Sequence, residues 1–310
     1  MKTFLVVNPR SANGQTGKRW AEISAHVGKV LGRFGHAFTE KRMDAARLAR
    51  EAIEQGYECI VAVGGDGTIN EVVNGFFSDG TGMPLRQDVA LGVICRGTGG
   101  DFRRTFDWDL KLEPALDRLK QEGSQPLDVG KIEYIAHDDT PQTRYFANIC
   151  SFGVSGLVDK MVNESTKALG GKASFMWGSL KAMLQYSDKQ VSLSLDGESA
   201  REVSVTTLAV ANGRYFGGGM MVAPDARPSD GLFDITLWSG YGVSDFVLKS
   251  AGIYSGEHVK WQGTTRSQCR MLTAAPVKPG EEILLDIDGE QPGRLPCRIS
   301  LLPSAIRLKT

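Results

Sequence analysis

Apolar runs and helix-spaced patterns alternate through residues 1–125. Residues 4–9 make a compact apolar run ending in a turn, which predicts a strand. Apolar positions then recur at Trp20, Ile23, Val27, Val30, Leu31 and Phe34, the spacing of one helix face. Residues 45–55 repeat that spacing, and Gly56 is a natural stop. Residues 59–63 and 89–95 read as buried strands, with helices over 68–77 and 114–120. Strand–helix alternation of this kind predicts a parallel sheet with helices on both faces.

After Pro126 the period changes to two. Residues 129–135, 144–149, 191–195, 203–211, 233–237 and 282–287 each read as one strand, bounded by Gly, Pro, Asn and Asp. This half predicts an antiparallel β-sandwich. A helical pattern interrupts it at 175–186, and 297–308 reads as a returning strand. The expected fold is therefore α/β plus β: a domain over 1–125, with 297–310 returning to it, and a β-sandwich domain over 126–296. No internal repeat or low-complexity linker breaks the chain.

The length of 310 residues suits two domains. Lys and Arg number 36 and so do Asp and Glu, which argues against a general nucleic-acid binder. No apolar run reaches the roughly 18–20 residues that span a bilayer. The expectation is a soluble, cytoplasmic protein with no transmembrane segment. Cys59, Cys95, Cys150, Cys269 and Cys297 contain no CxxC pair and read as buried reduced thiols. The four histidines have no zinc-ligand spacing.

The candidate chemistry lies in two glycine loops. After the 59–63 strand comes Gly64-Gly65-Asp66-Gly67-Thr68. Glycines let backbone approach a ligand closely, and free amides at a helix start suit phosphate. Thr68 with Glu71 three residues on has capping-box spacing. Asp66 is out of place beside a phosphate unless a cation comes too, which points to a magnesium–nucleotide complex. After the 89–95 strand comes Arg96-Gly97-Thr98-Gly99-Gly100-Asp101-Phe102, with the same logic. Both loops fall at the carboxyl edge of the predicted sheet, where α/β sheets bind ligands. A Walker A loop fails at Ala12 and Arg19. GxGxxG fails at Asn70 in one loop and at Phe102 in the other.

These motifs resemble the diacylglycerol kinase catalytic-domain family of soluble lipid kinases, related to sphingosine and ceramide kinases. Asn8-Pro9-Arg10-Ser11-Ala12 is similar to its opening turn, and Gly64–Thr68 with Asn70-Glu71-Val72 to its central signature. Gly97–Phe102 resembles its second loop, except that Gly100 stands where asparagine is usual. Leu127-Asp128-Val129-Gly130, the 211–232 block and Asp288-Gly289-Glu290 follow in order. The resemblance implies a phosphofructokinase/NAD-kinase-like first domain, a lipid-substrate second domain, and ATP and Mg2+ as cofactors. The lipid would enter between the domains.

By the same resemblance, Thr39, Thr68 and Thr98 contact the nucleotide, and Asn8 and Ser11 line its cleft. Gly64, Gly65, Asp66, Gly67, Asn70, Glu71 and Gly97 complete the nucleotide loops. Asp66, Asp101 and Asp128 would organise catalytic magnesium through water. Asp230, with the carbonyls of Arg227 and Leu232, would hold a structural magnesium, although Ser229-Asp230-Gly231 is also an ordinary turn. Glu290 would be the general base, a role worth roughly 10²–10⁴-fold. A second D-G-E, Asp196-Gly197-Glu198, reads as a plain hairpin turn. The 175–186 stripe, with Phe175, Met176, Trp177, Leu180, Met183, Leu184 and Tyr186, fits either core packing or a face resting on lipid. Arg103-Arg104 and Lys18-Arg19 either offset phosphate charge or are solvated.

The function expected is transfer of the ATP γ-phosphate to a hydroxyl of a lipid such as diacylglycerol, by a cytoplasmic enzyme transiently peripheral to the membrane. A homodimer is left open. The alternatives are an NAD kinase, which shares the glycine–aspartate signature, and a non-catalytic nucleotide or lipid sensor on the same fold.

Overall fold

The computed structural model describes residues 1–78, 80–97, 99–164, 178–179 and 181–310. The chain divides into two units, residues 1–129 with 302–310, and residues 130–301.

In the first unit each of the first four β-strands is followed by helix. β1 (Thr3–Val7) leads to α1 (Gln15–Lys18) and α2 (Trp20–Leu31), β2 (Phe34–Phe38) to α3 (Asp44–Glu54), and β3 (Cys59–Gly64) to α4 (Asp66–Gly75). β4 (Ala90–Cys95) leads to α5 (Asp101–Thr105) and α6 (Leu112–Lys120). β1 pairs with β2 and β3, and β3 with β4, all parallel. Arg307 and Leu308, at the end of β15 (Gly293–Leu308), pair in parallel with β4. Both faces of such a sheet are covered, so β3 and β4 are buried at every position and read as continuous apolar runs.

Sequence periodicity ran α2 on to Phe34, but the helix ends at Leu31. Gly32, at φ 75°, turns the chain, and Phe34 opens β2. Phe34, His36 and Phe38 alternate along that strand, and Trp20 packs on both His36 and Phe38. Phe34 satisfies both periods, so the pattern alone could not separate helix from strand.

The second unit has two antiparallel sheets. One contains β13 (Met271–Pro276) between β15 and β8 (Lys189–Leu195), with β9 (Arg201–Val205) beyond β8. In it β5 (Gln125–Ala136) also pairs β6 (Pro141–Phe146). The other runs β12 (Thr264–Cys269), β11 (Phe233–Trp238), β10 (Thr207–Ala211), β7 (Ile149–Gly153), β14 (Leu285–Ile287). Their inner faces close on one core, in which Phe146 stacks on Phe233 with ring centroids 5.6 Å apart.

Two runs that read as single strands are each two. Residues 144–149 change sheet between Phe146 and Ile149, and residues 203–211 change sheet at Thr206. The helices α7 (Val154–Glu164) and α8 (Val243–Ser255) were not expected. Of the stripe at 175–186, Phe175, Met176, Trp177 and Leu180 lie outside the described residues. Met183 and Tyr186 pack against the Val154–Val158–Ala182 cluster, while Leu184 is exposed. No described helix is long and apolar enough to cross a membrane.

Candidate active site

The first unit gathers its candidate residues at the carboxyl edge of the parallel sheet, because each follows a strand. Asn8 follows β1, Thr39 follows β2, Gly65 follows β3 and Arg96 follows β4. Backbone bonds lock these ends together: Asn8 N–H to the Val63 carbonyl, Thr39 N–H to Val7, and Arg96 N–H to Gly64 at 2.7 Å. The Asn8 amide donates to Thr68 Oγ1 at 3.1 Å. The Ser11 hydroxyl lies 2.8 Å from the Asn8 carbonyl and 2.7 Å from the Thr16 hydroxyl.

The two glycine loops touch backbone to backbone. A Cβ on Gly97 would stand 2.6 Å from the Gly65 Cα, so only glycine fits there. Asp66 then ties one loop to the other: its Oδ2 accepts from Gly100 N–H at 2.7 Å and its Oδ1 from Phe102 N–H at 3.0 Å. A carboxylate thus satisfies amides at the start of α5 that no helix bond can reach. Asp101 is buried and pairs with Arg104 at 2.8 Å.

Helix α4 begins at Asp66 with Gly65 as its cap, so Thr68 lies inside the first turn. The capping-box expectation is corrected accordingly. Thr68 is buried and holds Asn8, while Glu71 Oε2 accepts from Ala45 N–H at 3.0 Å, at the start of α3. Asn70 is likewise buried, and its carbonyl accepts from the Asn74 amide at 2.8 Å. Asn8, Ser11, Gly64, Gly65, Asp66, Gly67, Thr68 and Gly97 therefore form one cluster. Asn70 and Glu71 lie further along α4, where both are buried. Thr98 lies outside the described residues.

Asp128 is buried on β5, and its Oδ1 accepts from Ser304 N–H at 2.6 Å, where β15 bends through φ 49°. In the second unit Asp230 is exposed, and its Oδ1 accepts from Leu232 N–H at 3.1 Å. The Arg227 carbonyl accepts from Ser229 N–H at 2.8 Å.

The two D-G-E triplets have the same backbone. Asp196 and Gly197 sit at φ 49° and 79°, Asp288 and Gly289 at 50° and 86°, the torsions of a two-residue hairpin turn. Their surroundings differ. Asp196 Oδ1 takes the amides of Arg270 and Met271, and Glu198 is exposed. Asp288 Oδ1 accepts from Ile149 N–H at 2.8 Å and Oδ2 from Ala147 N–H at 3.3 Å, pinning the bend between β6 and β7. Asp286 is buried and takes both Gly289 N–H at 2.8 Å and the Ser151 hydroxyl at 3.0 Å. Glu290 Oε2 meets Arg144 at 3.1 Å, with their side chains 21% and 14% exposed. Arg144 and Asp286 escaped the sequence reading. Their partners lie 146 and 135 residues away, and no local spacing marks them.

Among the described residues no three of His, Cys, Asp and Glu gather as a metal cage. The first unit nevertheless fits a polyphosphate with magnesium. Side chains are excluded where the two glycine loops meet. A carboxylate has about four acceptor positions, and the amides of Gly100 and Phe102 leave Asp66 capacity for water.

The family model described as the diacylglycerol kinase catalytic domain matches residues 2–132. That described as the YegS C-terminal NAD kinase beta sandwich-like domain matches residues 148–310. The chain is 28% identical over 280 residues to a diacylglycerol kinase of Bacillus subtilis (strain 168), covering 87% of this chain and 86% of the other. It is 26% identical over 315 residues to a diacylglycerol kinase of Mycobacterium tuberculosis (strain ATCC 25618 / H37Rv), covering 99% and 94%. A crystal structure of a diacylglycerol kinase from Bacillus anthracis str. Sterne superposes with a TM-score of 0.69 at 20% identity, over 99% of this chain and 96% of that one.

Proposed function

This chain belongs to the diacylglycerol kinase catalytic-domain family of ATP-dependent lipid kinases, and from that premise we propose that it phosphorylates a hydroxyl of diacylglycerol or a similar lipid, with Glu290 as general base. The backbone of Gly64, Gly65, Gly67 and Gly97 cradles the ATP phosphates, and Asn8, Ser11, Thr39, Thr68 and Thr98 orient the nucleotide. Asp66, Asp101 and Asp128 would hold the catalytic magnesium, and Asp230 with the Arg227 and Leu232 carbonyls would hold a structural ion. Bound magnesium neutralises charge on the transferring phosphoryl group. Glu290 takes the proton of the lipid hydroxyl as its oxygen bonds to the γ-phosphorus. The bond from that phosphorus to the β–γ bridging oxygen breaks, and ADP leaves. The enzyme works at the cytoplasmic membrane surface, where such acceptors lie.

One observation carries the choice of base. Two triplets share sequence and torsions, yet only Glu290 is half-buried and oriented by an arginine, while Glu198 is exposed. The test is transfer of labelled phosphate from ATP–Mg2+ into mixed micelles of diacylglycerol, monoacylglycerol, phosphatidylglycerol, sphingosine and ceramide, with NAD as a separate acceptor. A labelled lipid, abolished by Glu290→Gln and retained by Glu198→Gln, supports the reading. Labelling of NAD alone, or equal loss in both variants, overturns it.

A further inference from the structure

A guanidinium nitrogen cut off from both water and a hydrogen-bond partner is costly, because its lost hydration is not replaced. In the first unit Arg19, Arg47, Arg86 and Arg104 each meet a carboxylate. Arg96, Arg103 and Arg118 meet none among the described residues. Each also keeps a buried nitrogen without a hydrogen-bond partner there: Arg96 Nε, Arg103 Nε and Arg118 Nη2. Arg103 stands beside the second glycine loop, its Nε and Cδ next to Gly100. Arg96 directly follows β4, at the start of that loop. Trp108 holds two of the cations. Its carbonyl accepts from Arg103 Nη1 at 2.7 Å, and the Arg118 guanidinium lies 4.2 Å above its ring.

Gly100 belongs to the same arrangement. It sits at φ 67°, and a Cβ there would stand 2.8 Å from Arg103 Nε and 3.4 Å from its Cδ. Arg103 therefore fills the space that a side chain at 100 needs. We infer that Arg103 binds the phosphates of the nucleotide from that space, with Arg118 set beside it by Trp108 as a supporting cation. Glycine at 100 is the condition for this, and the departure from the usual asparagine and the presence of Arg103 are one feature. The inference rests on the nucleotide reading of this sheet edge proposed above.

The test measures binding, so it needs no acceptor lipid. Mg–ADP is titrated calorimetrically into the full chain, and adenosine binding is followed by ligand-observed NMR. Losing a charge-assisted contact is expected to weaken ADP by roughly 10- to 100-fold in Arg103→Ala. Adenosine should stay within about twofold, since the cation reads phosphate rather than base. Gly100→Asn should weaken ADP by displacing Arg103, and Gly100→Asn/Arg103→Ala should be no weaker than Arg103→Ala alone. Without ligand, Arg103→Ala should melt no lower than the wild type, which separates lost binding from lost folding. Unchanged ADP affinity in Arg103→Ala overturns the inference, as does equal weakening of ADP and adenosine. A wild type that binds no ADP overturns the nucleotide reading and this inference together.

Discussion

Asp66 has a structural task separable from chemistry, and removing it tests the geometry directly. In Asp66→Ala the amides of Gly100 and Phe102 lose an acceptor that now lies at 2.7 and 3.0 Å. Hydrogen bonds to a charged group contribute about 1.5–3 kcal/mol each; Asp66 is half-buried, so the lower end applies and the pair is worth about 3 kcal/mol. Asp66→Asn keeps one acceptor oxygen and turns an amino group toward the other N–H, so it should lose about half of that or more. Urea unfolding reads the change as a lower midpoint at constant slope. Amide exchange localises it, because protection at Gly100 and Phe102 should fall together. An acid kept for chemistry alone predicts the reverse, since removing such a charge tends to leave stability equal or higher. A loss under about 0.5 kcal/mol with both amides still protected would refute the tether between the loops.

Further outcomes follow from single contacts. Gly97→Ala drives a Cβ against the Gly65 backbone and should cost about 1–3 kcal/mol together with ADP binding. Gly123→Ala meets nothing within 4 Å and should be neutral in the same urea and titration assays. Burial pushes the thiols of Cys59, Cys95, Cys269 and Cys297 up to about 12, and Cys150 is raised by the same cause. A colorimetric disulfide reagent at neutral pH should therefore find almost no reactive thiol in the native chain and all five after unfolding. Burial also holds the His258 imidazole below its usual 6.5. The unfolded chain then takes up a proton that the folded one refuses, so the His258 contribution is complete above pH 6.5 and is lost as pH falls below it. His258→Gln should flatten that part of a stability–pH curve, and an unchanged slope would remove His258 as its source.

The sequence was legible wherever a residue's fate depends on its neighbours in the chain. Strand–helix alternation marked β1, β3 and β4, and glycine clusters marked both loops, because periodicity and torsional freedom are local properties. Phe34 shows where locality fails: it fits the period of α2 and that of β2, and pairing with β1 decided. The runs at 144–149 and 203–211 are equally uniform in sequence, and their breaks exist because the two halves of each hydrogen-bond to different sheets. Of the candidate site, the residue types were visible in the sequence, but not their partners. Asp66 finds its donors 34 and 36 residues on, and Glu290 its arginine 146 residues back. The twin D-G-E turns mark the boundary most clearly. Sequence by itself determined their shared left-handed hairpin torsions, because Asp-Gly prefers them. Only the tertiary structure decided that one glutamate faces an arginine and the other faces solvent, because side-chain burial and charge pairing are set by which distant segments the fold brings alongside.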